Sequence, residues 1–191
     1  MPKPIFVGGC PRSGTTLVRN IIASHPDVSE VTARDFHFPC SEETLEGWLF
    51  HRGLSNREIA IRWQTATAKH SQRYCVEKTP GNAFCFSRIK KVFPDAVLVR
   101  VVRNKADTVQ SIVRAAAWVK SLPATQIQAE MLYDSYNNVE AGIVAYFDMV
   151  RWSHIARNIL YDQIGLPQYE GRVSNPEGVP GSRGENFSDT L

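Results

Sequence analysis

The sequence has few of the features that would assign it to a specialised class. Its 191 residues include four cysteines, Cys10, Cys40, Cys75 and Cys85. No two of them form a C-x-x-C pair, so zinc-type ligand spacing is absent and no metal site is expected. Cys75 lies in an apolar run and reads as a small buried hydrophobe. A disulfide framework would need an oxidising compartment. No apolar segment approaches the roughly 18 residues of a membrane-spanning helix. No basic stretch followed by an apolar one opens the chain in the manner of a secretory leader. Lys/Arg-rich runs and basic faces interleaved with aromatics are also missing. The net charge of +3 therefore agrees with an anionic ligand but supports no nucleic-acid partner. The expectation is a cytoplasmic protein with free thiols and no membrane span.

What is present is an ordinary globular composition, 43% hydrophobic and 21% charged, in a length normal for one domain. Ile5-Phe6-Val7 ends in Gly8-Gly9 and reads as a buried strand with a turn. Leu17, Val18, Ile21 and Ile22 then recur at helical spacing between Thr15 and Ser24, and His25-Pro26-Asp27 stops that helix. Ser41 to Phe50 reads as a short helix. Ser55 to Glu58 fits a capping box that opens a helix running to about His70. Tyr74 to Glu77 is a second strand, and a helix is expected from Phe84 to Val92. Ala96 to Val102 is nearly continuous and β-branched, as in a parallel strand covered on both faces. A helix follows from Lys105 to about Val119. Ile143 to Phe147 is a further strand candidate leading into a helix from Asp148 to Ile164. From about residue 170 the chain reads as a loop-like segment rich in Gly, Pro, Ser and Asn. Strands alternating with helices predict an α/β fold with a central parallel β-sheet flanked by helices, in one domain over residues 1–191.

Gly9-Cys10-Pro11-Arg12-Ser13-Gly14-Thr15-Thr16 lies between the first strand and the first helix, where a phosphate-binding loop belongs. Gly9 and Gly14 have the spacing of the nucleoside-triphosphate loop G-x-x-x-x-G-K-[S/T]. Thr15 stands where that loop has its lysine, and the cation has moved to Arg12. The loop therefore suits a phosphate with a different leaving group. Arg103, at the carboxyl end of the strongest strand, lies on the ligand edge of the predicted sheet. Its planar fork suits phosphate oxygens, and Ser111 follows eight residues later.

Pro11 to Leu17 together with His25-Pro26-Asp27-Val28 resembles the 5′-phosphosulfate loop of sulfotransferases dependent on 3′-phosphoadenosine 5′-phosphosulfate (PAPS). The branch it is most similar to includes protein-tyrosine, glycosaminoglycan and many bacterial members. The resemblance implies a P-loop nucleoside-triphosphate-hydrolase-like sulfotransferase fold. It also implies in-line sulfuryl transfer from PAPS to an acceptor hydroxyl, a carbohydrate or small metabolite being favoured, with adenosine 3′,5′-bisphosphate as product. It assigns the donor to Arg12, Ser13, Gly14, Thr15 and Thr16, with Arg12 at the leaving oxygen and Arg103 and Ser111 at the 3′-phosphate. Glu77-Lys78-Thr79-Pro80 resembles the segment whose lysine lies at the active site, which nominates Lys78. Asp35-Phe36-His37-Phe38 resembles the segment that carries the general base, leaving Asp35 and His37 as alternatives. Pro180 to Gly184 is similar to a basic C-terminal loop and nominates Arg183 for the 3′-phosphate. Two other readings stand beside this one: a phosphate-loop nucleotide kinase using Mg²⁺, and a non-catalytic protein that binds adenosine bisphosphate.

Overall fold

A computed structural model of the chain describes residues 1–38, 46–137, 143–147 and 154–169. Five strands, β1 (Lys3–Gly9), β2 (Val28–Glu30), β3 (Tyr74–Lys78), β4 (Val97–Arg103) and β5 (Ile143–Phe147), form one sheet in the order β2-β3-β1-β4-β5. All four pairings are parallel. The helices are α1 (Thr15–Ala23), α2 (Asn56–Thr67), α3 (Phe86–Val92), α4 (Lys105–Ala115), α5 (Gln126–Asn137) and α6 (His154–Ile164).

Alternation along the strands builds two apolar layers. Ile5 and Val7 of β1, with Val97, Val99 and Val101 of β4, pack into a cluster with Val18, Ile21 and Ile22 of α1 and Leu160 and Ile164 of α6. Phe6 and Leu98 point the other way, into a cluster with Ile59 and Trp63 of α2 and Phe86 and Ile89 of α3. Both faces are covered, which is why these strands read as unbroken apolar runs. Phe6 contacts the rings of Trp63, Phe50 and Phe93 with centroids 4.9 to 5.8 Å apart.

From β1 the chain leaves toward β2 and β3, whereas from β4 it leaves toward β5. Neighbouring strands whose connections depart in opposite directions leave a crevice outside their carboxyl ends, where α/β proteins bind ligands. The glycine loop follows β1 and Arg103 ends β4, so both predicted phosphate elements open onto that crevice.

Several boundaries differ from the sequence expectation. The capping box is present: Ser55 Oγ accepts from the Glu58 amide, and the Glu58 carboxylate accepts from the Ser55 amide at 2.8 Å. The segment read as a helix over Ser41–Phe50 lies in part outside the described residues. Its described end is no α-helix, since Trp48 has φ 49° and only Leu49–His51 makes a 3₁₀ turn. The helix expected from Phe84 begins as a 3₁₀ helix over Pro80–Cys85 and becomes α-helical at Phe86. α4 stops at Ala115, where the Trp118 and Val119 amides both turn back onto the Ala115 carbonyl. The start of the helix expected from Asp148 lies outside the described residues, as does the segment after residue 169. β2 and α5 were not anticipated. β2 is three residues long, and α5 buries only Ala129 and Tyr136, so neither produces a strong period.

Gly8 shows how tightly the ligand edge is built. A Cβ there would lie 2.4 Å from the Ala83 amide nitrogen and 3.1 Å from the Asn82 carbonyl carbon. Backbone cannot yield as a flexible side chain does. Gly8→Ala should therefore lower unfolding free energy by about 1–3 kcal/mol, as overpacked sites do, measured as a reduced urea midpoint at unchanged slope.

Candidate functional site

The loop after β1 is a built anion cradle. The Ser13 amide donates to the Cys10 carbonyl at 3.0 Å. Arg12 (φ 69°) and Gly14 (φ 101°) both occupy left-handed conformations. Residues of alternating hand turn successive N–H groups to one side, and such concavities bind anions. α1 starts at Thr15 with no side-chain cap, so its first amides are available and its N-terminus carries partial positive charge. Ser13 Oγ is buried and makes no hydrogen bond. An unsatisfied buried hydroxyl is costly, and a phosphate oxygen in the cradle would satisfy it.

Arg12 of this loop meets Arg103 and Ser111, about half the chain away. Arg12 Nε donates to Ser111 Oγ on α4 at 3.3 Å. Arg103 Nη1 donates to the Arg12 carbonyl at 3.3 Å. Burial pushes the Arg12 guanidinium down from its ordinary value, and the charge of Arg103 pushes it further. Arginine stays protonated despite such pressure, so two like charges are held close together. Arg103 is itself lowered by burial and partly restored by Asp107, whose carboxylate is 4.0 Å away. The Arg103 carbonyl accepts from the Tyr133 hydroxyl of α5 at 2.6 Å. A multiply charged anion lying across the pair would relieve the repulsion. Thr15 is buried at the base of α1, and Thr16 is half-buried beside it.

The next strand supplies the other wall. Glu77 is fully buried, and Asn82 Nδ2 donates to its Oε2 at 2.7 Å. Its Oε1 accepts from Thr79 Oγ1 at 2.6 Å and from the Gly47 amide at 3.1 Å. Burial raises its carboxyl above the ordinary value, although these hydrogen bonds pull it down. Thr79 Oγ1 also accepts from the Trp48 amide at 3.1 Å. The incoming backbone at 47–48 is thereby tied to the end of β3. That tie places Glu46 against Lys78, whose Nζ donates to Glu46 Oε1 at 2.7 Å. The two side chains are 14% and 11% exposed.

The nominated residues divide accordingly. Arg12, Ser13, Gly14, Thr15, Thr16, Arg103 and Ser111 share the crevice at the ends of β1 and β4. Lys78 lies at the end of β3, in register with Val7, and carries the Glu46 pair. Arg183 lies outside the described residues.

Asp35 is engaged on both oxygens. Its Oδ2 accepts from the Thr32 amide and hydroxyl at 2.7 and 3.0 Å, and its Oδ1 pairs with Lys69 beyond the end of α2. Burial, and after it the Asp35 charge, push the Cys75 thiol up to about 12. Asp35 thus staples its own turn after β2 to Lys69 beyond α2. His37 sits in the same turn, exposed, at φ 53°. Glu46, Glu77 and Tyr133 were missed. A lone Glu in a stretch read as a helix carries no signal, although the E-K-T-P segment that holds it in place was visible.

The profile of the family described as "Sulfotransferase family" matches residues 4–59 and 52–179. A protein-tyrosine sulfotransferase of Drosophila melanogaster is 28% identical over 220 residues, covering 98% of this chain and 44% of its own length. The chain spans about half the length of the curated relatives it matches. Among solved structures, the sulfotransferase domain from the curacin biosynthetic pathway superposes with TM-score 0.65 at 19% identity, covering 90% of this chain and 79% of its own. A mouse sulfotransferase complexed with PAP superposes with TM-score 0.53 at 14% identity, covering 88% and 61%. These structures share the fold.

Burial raises the Asp35 carboxyl, but the hydrogen bonds from Lys69 and Thr32 outweigh it and hold the group below its ordinary value. A depressed carboxyl contributes stability above its unfolded pKa of about 4 and loses it as pH falls through the folded value. Asp35→Asn should therefore lower the thermal midpoint at pH 7, and the gap to wild type should close as melts are repeated below pH 4.

Proposed function

The chain belongs to the sulfotransferase family, and from that premise we propose that it transfers a sulfuryl group from PAPS to an acceptor hydroxyl. The observation that carries this reading is the convergence of Arg12, Arg103 and Ser111 over a loop whose buried Ser13 hydroxyl makes no hydrogen bond. PAPS supplies an activated sulfuryl group and two phosphate positions. The residues fit both. The loop amides, Ser13, Thr15 and Thr16 hold the 5′ end, while Arg103 and Ser111 anchor the 3′-phosphate and so fix orientation. Arg12 stabilises the negative charge that grows on the leaving oxygen. Lys78 lies on the acceptor side, where its ammonium contacts the sulfuryl group. A phosphate-loop kinase is disfavoured because Thr15 replaces the lysine that such loops use on the β- and γ-phosphates.

A carbohydrate or small metabolite is the proposed acceptor. Protein tyrosine is the second reading, favoured by the similarity to the Drosophila protein-tyrosine sulfotransferase. Parallel assays on sugars and tyrosine peptides with PAPS separate the two.

Calorimetric titration with adenosine 3′,5′-bisphosphate should show binding independent of Mg²⁺. Arg103→Ala should weaken it about 10- to 100-fold, the loss of a charge-assisted contact of about 1.5–3 kcal/mol. Arg12→Ala should act on turnover, lowering kcat about 10²–10³-fold, as removal of an oxyanion donor does. The reverse pattern, or binding of ATP alone and only with Mg²⁺, would overturn the assignment.

A further inference from the structure

The carboxylates near the crevice differ in how fully they are engaged, and Asp35 accepts from Thr32 on one oxygen and pairs with Lys69 on the other. Glu77 is sealed in the core with both oxygens accepting hydrogen bonds. Glu30 is paired with Arg19 of α1. Asp107 stands by Arg103 at the far end of the crevice. Glu46 is different. Among the described residues its one hydrogen-bond partner is Lys78, on Oε1. Its side chain is packed against the wall of the crevice but still touches solvent.

Its surroundings place it across from the loop. Lys78 ends the strand next to β1, in register with Val7, and the Thr79 amide donates to the Val7 carbonyl at 3.2 Å. Tyr136 of α5 packs in one cluster with Cys10, the second residue of the loop. Its phenol is raised first by burial and then by the charges of Cys10 and Glu46. Phe84 covers that phenol ring at 4.3 Å. Glu46 is held by Lys78, and its charge also acts on Tyr136, whose ring stacks with Phe84, and on Arg19 of α1.

We propose that Glu46 is the proton acceptor for the attacking hydroxyl, with Oε1 held by Lys78 and Oε2 taking the proton. This rests on the sulfuryl-transfer reading. The acceptor oxygen forms the new bond to sulfur as its O–H bond breaks. The proton passes to Glu46, and the electron pair of the broken sulfur–oxygen bond leaves on the phosphate. Glu46 then returns its proton to water. Lys78 has two tasks in one place: it fixes the base and faces the sulfuryl oxygens. The clamp from Glu77 to Gly47 holds the base at the correct height.

The test measures release of adenosine 3′,5′-bisphosphate from PAPS with phenols of graded acidity and with water as acceptors. Wild type is compared with Glu46→Gln and Glu46→Asp over a range of pH. Glu46→Gln should lose about 10²–10⁴-fold with unsubstituted phenol, the range for a general base. It should lose little with a nitrophenol that arrives already ionised. The acid limb of its pH–rate profile should vanish, affinity for the bisphosphate should be unchanged, and Glu46→Asp should recover part of the rate. A loss equal for all phenols, no loss, or an equally large selective loss in a folded Asp35→Asn would overturn the assignment. If wild type binds the bisphosphate but releases none with any acceptor, the sulfuryl-transfer reading falls and takes this one with it. If wild type turns over and Glu46→Gln matches it, only the assignment of Glu46 falls.

Discussion

Two guanidinium groups held side by side at the end of a parallel sheet set the terms for the rest of this structure. The charge of Arg103 acts against Arg12 in a half-buried setting, and the hydrogen bond from Arg103 to the Arg12 carbonyl and the Asp107 carboxylate offset only part of it. Rigid elements hold the two residues together. β1 and β4 pair in register through Gly9 and Val101, so the loop and the end of β4 must emerge together. Gly9 lies so close to β4 that a Cβ would approach the Val101 carbonyl oxygen to 2.6 Å. Tyr133 holds the Arg103 carbonyl from the outside. The fold supplies the free energy that keeps the two charges adjacent, and an anionic ligand bound across them would recover part of it.

The opposite wall solves a different problem by similar means. A buried carboxylate costs several kcal/mol unless its oxygens are satisfied. Glu77 is buried completely and accepts hydrogen bonds from a hydroxyl, an amide side chain and a backbone N–H. Those donors come from two stretches of chain, the backbone at Gly47 and the turn from Thr79 to Asn82. Burial of this one group therefore fixes the start of the 3₁₀ helix at Pro80, the backbone at Gly47 and, through Asn82 and the Val7 carbonyl, the last turn of β1. A rigid strand end, a charged lysine and a positioned glutamate follow from a single satisfied burial.

This difference explains what could be read in advance. The donor side was legible because its chemistry is local. Gly9 to Thr16 makes a cradle wherever a strand precedes it and a helix follows, and Arg103 was placed on the ligand edge by the strand it terminates. The capping box at Ser55 was equally local. The surroundings of Asp35 are not local, because its turn depends on contacts made elsewhere in the chain. Phe36 packs on Trp63 of α2, Arg62 donates to the Phe36 carbonyl, and Phe38 lies under the guanidinium groups of Arg52 and Arg62. No spacing in Asp35 to Phe38 encodes those partners. β2 and α5 escaped for a related reason. Each is held by pairing or packing rather than by its own period.

The same asymmetry bears on how such a site changes. Donor recognition needs fixed phosphate positions and depends on residues bound to strand ends, where a shift of one residue would reverse a side chain. The proposed acceptor side draws on segments that meet only through tertiary contacts: the backbone before Trp48, the 3₁₀ helix at Pro80 and α5. Buried Glu77 ties the first two of these to the end of β3. A carboxylate delivered by the flanking segment, as proposed for Glu46, would serve the same chemistry as one delivered after β2, provided that it arrived beside the lysine at the end of β3. On that proposal the constraint on the proton acceptor is a place near Lys78 and not a position in the chain.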